Sequence, residues 1–173
     1  MTARVAVVAL MLFTAALLQT ALFPYVTIVG YRPDMLLLLT TLFALRDGAL
    51  TGVRVGFAAG ILADVLLQQS ALGLSALVFV GVGYSVGTVR PYLAPESITA
   101  PLLLASTAGV LGTLGYGLLV ALLGEQAVTT RGLVEASIVV GLYNTVLAPG
   151  VDAAVRGLRR QFPVETRPQA SLR

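Results

Sequence analysis

Apolar residues run along this chain in blocks, most of them long enough for a helix to cross a bilayer and each closed by a short polar interruption. A crossing helix needs roughly 20 predominantly apolar residues. Six blocks meet or approach that length: Val5 to Phe23, Ile28 to Leu45, Ala49 to Leu67, Ala71 to Val89, Ile98 to Leu123, and Gly132 to Gly150. Between them lie breakers and charges: Phe23-Pro24, Arg46-Asp47-Gly48, Gln68-Gln69-Ser70, Arg90-Pro91 through Pro95-Glu96, and Gly124 to Arg131. The second block is the shortest in its strongly apolar part, Met35 to Leu45, because Tyr31-Arg32-Pro33-Asp34 interrupts its start. It reads as a full span entered obliquely, with a partly re-entrant helix as the alternative. The first block flows into further spans and has no small-residue cleavage site, so it reads as a retained helix rather than a signal peptide.

Arginine placement sets the expected topology. With the N terminus inside and six spans, the inner set is Arg4, Arg46, Arg54, Arg90, Arg156, Arg159, Arg160, Arg167 and Arg173, against Arg32 and Arg131 outside. That asymmetry follows the positive-inside rule, which five spans would violate by exporting the arginine-rich tail. The expected fold is an all-α integral membrane protein with six transmembrane helices and both termini cytoplasmic. Residues 1–160 form a single transmembrane domain, and 161–173 form a polar, proline-broken, disordered cytoplasmic tail.

Composition agrees and removes whole classes of chemistry. Of 173 residues, 57% are hydrophobic and 11% charged, whereas a soluble domain carries about 25% charged residues. Cysteine and histidine are absent, which removes disulfides, thiolate nucleophiles, His-based triads and the common zinc sites. Ser75, Ser85, Ser106 and Ser137 have no histidine or lysine partner, and the scattered carboxylates make no paired acid/base site. The expectation is a non-enzymatic protein with no cofactor and no metal. The arginines are not interleaved with aromatics on one face, so nucleic acid is not an expected partner.

The polar and small residues inside the apolar blocks are the candidate sites. Gly48, Gly52, Gly56 and Gly60 are spaced by four, a small-xxx-small stripe that lets a neighbouring helix approach closely. Their i, i+4 stripe winds around the helix, so it suits a crossed partner. Asp64 ends this ladder, and an aspartate within a span should face protein or a polar cavity rather than lipid. Capping or bonding the loop at Gln68, Gln69 and Ser70 is the leading reading; pairing at a helix interface and binding an ion or ligand are the others. Gln19, Pro33, Asp34, Asn144 and Pro149 are further structural anchors. Pro33 and Asp34 suit the first turn of the second helix, Asn144 is expected to donate interhelical hydrogen bonds, and Pro149 to bend or end the sixth helix. Gly109, Gly112, Gly115 and Gly117 favour close contact along the fifth. Asp152 and Arg156 can pair across one turn. Arg156, Arg159 and Arg160 form a basic patch for anionic lipid or a cytoplasmic partner.

The order of motifs resembles the MreD family of bacterial rod-shape-determining membrane proteins. The matching stretches are Leu18-Gln19; Gly30 with Pro33-Asp34 and Leu36-Leu37-Leu38; Gly56-Phe57, Gly60 and Asp64; Leu72-Gly73-Leu74-Ser75-Ala76-Leu77 with Gly83-Tyr84; and Leu142-Tyr143-Asn144 with Ala148-Pro149. The resemblance covers Leu17 to Arg160. It implies a fold similar to the six-helix substrate-binding subunits of energy-coupling-factor transporters. It also implies a scaffold role in the elongation machinery that directs peptidoglycan synthesis from the plasma (inner) membrane. The implied partners are an MreC-like bitopic protein, the actin-like MreB, and the glycosyltransferase and transpeptidase wall synthases. Homodimerisation is left open. The alternative is a substrate-binding subunit of an energy-coupling-factor transporter, although the alanines of the first helix never fall at the four-residue spacing that docks an energising module.

Overall fold

The computed structural model describes residues 2–25, 27, 30–67, 73–93, 99–124 and 129–162. Its α-helices are α1 (Thr2–Ala21), α2 (Met35–Asp47), α3 (Ala49–Leu67), α4 (Leu74–Val89), α5 (Thr99–Leu122) and α6 (Thr130–Gln161), with 3-10 turns at Phe23–Tyr25 and Arg90–Tyr92. Five of these helices are long and apolar enough to cross a membrane. The exception is α2, whose 13 residues span about 20 Å at 1.5 Å per residue, short of the ~30 Å hydrocarbon core.

The start of the second helix is therefore corrected: it begins at Met35 rather than near Ile28, and positions 28 and 29 lie outside the described residues. Pro33 disfavours helical backbone in the residue before it. Asp34 then stops the helix from extending backward by taking the cap position, where its carboxylate accepts from the Leu37 N–H. Pro33 and Asp34 thus precede the first turn rather than form it.

The short helix is the centre of the molecule. Every residue from Leu36 to Leu45 is buried, and α2 packs against all five other helices. A helix that is apolar all round belongs either in lipid or in a protein core; here it is the core. Thr40 and Thr41, both fully buried, return their hydroxyl protons to the Leu36 and Leu37 carbonyls one turn back, each at 2.9 Å.

The glycine stripe of α3 faces α4. A Cβ on Gly52 would stand 2.5 Å from the Gly83 carbonyl oxygen, one on Gly56 2.6 Å from that of Phe79, and one on Gly60 2.2 Å from the Ala76 Cα. The complementary positions on α4 are Gly83, against Gly52, and Gly87, against the Ala49 Cα at 2.2 Å. The two backbones are in contact, and no side chain fits between them. Gly48 is a correction: it lies outside the stripe, in the α2–α3 turn, with φ +93°, a backbone conformation that favours glycine. A second seam joins α5 to α6, where Gly109 lies against the Gly141 Cα and Gly141 against the Ser106 carbonyl. Gly112 leaves room for the Leu37 side chain of α2 and Gly117 for Leu133 of α6.

The outside of the bundle is apolar: Leu10, Phe13, Phe57, Leu77, Leu103, Leu111, Leu118, Ile138, Leu142 and Val146 are all exposed. Contiguous exposed apolar surface of this kind requires a lipid or protein covering. Despite Pro149, α6 does not end there but continues to Gln161. Phe162 caps α6 and packs against the core; the expected disordered tail beyond it lies outside the described residues.

Gly60→Leu, which drives a side chain into the Ala76 backbone, should lower the stability of the purified protein by about 1–3 kcal/mol or more, the usual overpacking range. Gly81→Ala, with nothing within 4 Å of its Cβ, should leave it unchanged. Thermal unfolding in a single detergent measures both, and equal behaviour of the two variants would contradict the seam.

Candidate functional site

Two polar clusters sit at different depths of the apolar bundle, and both are assembled around α2. The first surrounds its start. A helix leaves its first four N–H groups without partners, and inside an apolar bundle each unpaired group costs free energy. Three of the four are satisfied here by side chains from three separate places. The Asp34 N–H donates to Asn144 Oδ1 at 3.2 Å, the Leu36 N–H to Gln19 Oε1 at 3.4 Å, and the Leu37 N–H to Asp34 Oδ1 at 3.0 Å. Gln19 comes from α1 and Asn144 from α6, and both are buried. Asn144 thus contributes an acceptor here, not the donor expected, and its Nδ2 lies beside Gly109 of α5. Tyr31 adds a tie to the beginning of α6, its hydroxyl donating to the Gly132 carbonyl at 3.0 Å.

A cavity of about 300 Å³ adjoins this cluster, lined among others by Gln19, Tyr31, Arg32, Asp34, Thr113 and Tyr116. The helix N-terminus beside it could attract an anion in principle. Its Leu36 and Leu37 amides are already taken by Gln19 and Asp34, so most of its polarity is consumed within the fold.

Asp64 performs the corresponding task for α4. Its two carboxylate oxygens accept from the Gly73 N–H at 2.8 Å and the Ser75 N–H at 3.1 Å. The group capped is the start of α4; Gln68, Gln69 and Ser70, the expected partners, lie outside the described residues. Asp64 is buried, and the contact fixes the α3–α4 connection at the end where the glycine seam finishes.

The second cluster lies where α2 ends. Arg46 makes a two-pronged pair with Asp152 of α6, Nε to Oδ1 at 2.8 Å and NH2 to Oδ2 at 2.7 Å. Arg156 adds its Nε 3.3 Å from the same carboxylate. Beside them Asp47 pairs with Arg4 of α1 and has Arg159 Nε at 3.6 Å. Both carboxylates are almost completely buried, at 1% and 3% exposure. The beginning of α1, the α2–α3 turn and the end of α6 are therefore joined by four arginines and two aspartates, with Arg46 and Asp47 adjacent in the chain.

Sequence reasoning found the Asp152–Arg156 pair but missed Arg46 as the stronger partner and gave Asp47 no role. The available signal was two carboxylates on the side otherwise populated by arginine. It also missed Gly83 and Gly87 as the counterpart of the α3 stripe, although their four-residue spacing is the same motif. The basic patch is less free than expected, because Arg156 and Arg159 are tethered to buried acids; Arg160 has no carboxylate within ion-pair distance among the described residues.

These features define a polytopic α-helical membrane protein: an apolar exterior, polar groups turned inward, and helices joined by glycine seams and buried ion pairs. Among the described residues no group of three or more His, Cys, Asp or Glu could hold a metal ion. The family profile described as rod shape-determining protein MreD matches residues 2–155. The chain belongs to the MreD family, and its role is in rod shape determination. No significant match was found among curated proteins or among solved structures.

Two variant series test these clusters. Arg46→Ala leaves Asp152 buried beside a single weaker partner and should destabilise by about 3–5 kcal/mol, while the paired change Arg46→Met with Asp152→Leu should recover most of that loss. Chemical denaturation in detergent reads both; a double variant as unstable as the single one would refute the assignment. Asp64→Asn retains one acceptor oxygen and should lose less stability than Asp64→Ala, by about 1 kcal/mol for the retained hydrogen bond.

Proposed function

We propose that this protein is a non-enzymatic membrane scaffold of the cell-elongation machinery, organising peptidoglycan synthesis by binding an MreC-like bitopic protein and the wall synthases. The observation that carries the reading is membership of the MreD family across residues 2–155. The bundle supports it: its buried polar side chains cap helices, form ion pairs or bond back to their own helix, and its outer faces offer apolar surface to a neighbouring span. The site geometry does not favour the transporter-subunit reading, because the Leu36 and Leu37 amides beside the cavity are occupied by Gln19 and Asp34.

The proposed topology has six crossings of the plasma membrane, with both termini in the cytoplasm. The second crossing combines the Tyr31–Asp34 lead, about 13 Å long if extended, with the ~20 Å of α2, roughly the thickness of the hydrocarbon core. Arg4, Arg46, Arg156 and Arg159 share one end through their contacts, and the positive-inside rule makes that end cytoplasmic.

The topology is testable because the chain lacks cysteine. In intact spheroplasts, Leu123→Cys should react with a membrane-impermeant maleimide and Gln161→Cys only after lysis; the reverse pattern would overturn the orientation. Depletion in a laterally elongating cell should give rounded cells with mislocalised wall synthesis. Co-purification in mild detergent should recover a single-span MreC-like protein, and recovery of an ATPase module in its place would reject the scaffold reading.

A further inference from the structure

The end of α6 carries a cavity that the helix-capping and ion-pair architecture does not account for. It has a volume of about 300 Å³ and is lined by Arg46, Arg156, Arg159 and Arg160. Five guanidiniums belong to this cluster once Arg4 is included, and among the described residues they face only the carboxylates of Asp47 and Asp152. The excess is three positive charges. Asp152 is engaged in a two-pronged pair with Arg46, one of the lining residues. Arg156 and Arg159 each approach an acid through Nε, at 3.3 and 3.6 Å, and both side chains are about half exposed. Arg160 is exposed.

The geometry points to a binding site for an anion bearing two phosphates, supplied by the headgroup of a membrane lipid. Guanidinium forks match phosphate oxygens in pairs. One phosphodiester would balance only part of the excess charge, whereas two phosphates bring it close to neutrality. The lining contains no apolar or aromatic residue to receive a peptide side chain, so the site fits a compact polyanion better than an acidic protein segment. Its depth favours lipid as the source. The last apolar stretch of α6 closes at Val151, and Arg156 to Arg160 follow within about 8–14 Å along the helix axis, close to the headgroup layer that flanks the hydrocarbon core. Basic pockets between spans on this side of a membrane are known to hold such headgroups. The site is independent of the scaffold reading, and its failure would leave that reading intact.

The test uses the full chain in phosphatidylcholine nanodiscs containing either phosphatidylglycerol or cardiolipin at equal total lipid charge, with bound lipid read by native mass spectrometry. Cardiolipin, with its two phosphates, should be retained about tenfold over phosphatidylglycerol. Arg160→Ala should reduce that retention about fivefold, the equivalent of the ~1 kcal/mol per arginine near an anionic surface, and Arg160→Lys should restore part of it. Arg54→Ala removes the same charge from an exposed position on α3 and should change nothing. Because Arg160 has no ion-pair partner among the described residues, its removal leaves the fold intact, which an unchanged unfolding midpoint would verify. A parallel arm titrates inorganic diphosphate into protein in pure phosphatidylcholine nanodiscs. Diphosphate binding with the same Arg160 dependence, without cardiolipin retention, keeps the two-phosphate site but assigns a soluble ligand. Equal retention of both lipids, equal loss in Arg54→Ala and Arg160→Ala, and no diphosphate binding would overturn the site and reduce the arginines to a diffuse field.

Discussion

The constraint on which the rest of this bundle depends is the start of α2 in its interior. A helix that begins among apolar side chains leaves several amides without water, and each unsatisfied group costs about 1–3 kcal/mol. The chain answers with Asp34 from its own cap, Gln19 from α1 and Asn144 from α6. These acceptors come from distant parts of the sequence, so satisfying α2 also fixes where α1 and α6 stand. The Leu36–Leu45 run can then be enclosed completely, and no lipid is needed around it.

Enclosing one helix with five others requires some of the outer ones to approach each other closely. Lipid tails are as apolar as leucine, so hydrophobic burial does little to hold helices together in a bilayer, and packing at short range takes its place. The Gly52–Gly83 and Gly56–Phe79 contacts bring α3 and α4 together at backbone distance, and Gly109–Gly141 does so for α5 and α6. Gly112 serves the central helix directly by leaving space for Leu37. Asp64 closes the α3–α4 hairpin at one end by capping α4.

At its other end α2 is held by charge. Arg46 and Asp47 are adjacent, yet they face opposite partners, Asp152 and Arg4. Removing one member of a buried pair is far more damaging than never having had it, because the remaining charge is stranded. The pairs therefore specify the register of α1 and α6 against α2 more than they add stability. The product is a bundle whose interior polarity serves its own fold and whose exterior is available to lipid and to other spans, a form suited to a family that acts in rod shape determination.

Much of this was legible in the residues themselves. Blocks of apolar sequence located four of the five crossing helices to within a few residues, since hydrophobic length is a local property, while α6 runs on to Gln161, well past the expected end at Gly150. α3 was bounded at Ala49 and Leu67 by the Gly48 turn and by the polar Gln68-Gln69-Ser70 run. The four-residue spacing of Gly52, Gly56 and Gly60 announced a close contact, and the order of motifs announced the family. What local pattern could not decide was which surface each feature would meet. An all-apolar helix looks the same whether lipid or protein surrounds it, so only the tertiary structure placed α2 at the centre. Periodicity marked Gly48 as one more step of the ladder, where the α2–α3 turn uses it for its positive φ. Asn144 could donate or accept, and the choice fell to acceptor because an amide of α2 stands opposite it. Asp152 had a local partner in Arg156, but the bidentate bond goes to Arg46, 106 residues away. Length, hydropathy and spacing act along the chain and belong to the sequence; hydrogen-bond and charge partners depend on distances that exist only once the helices have packed.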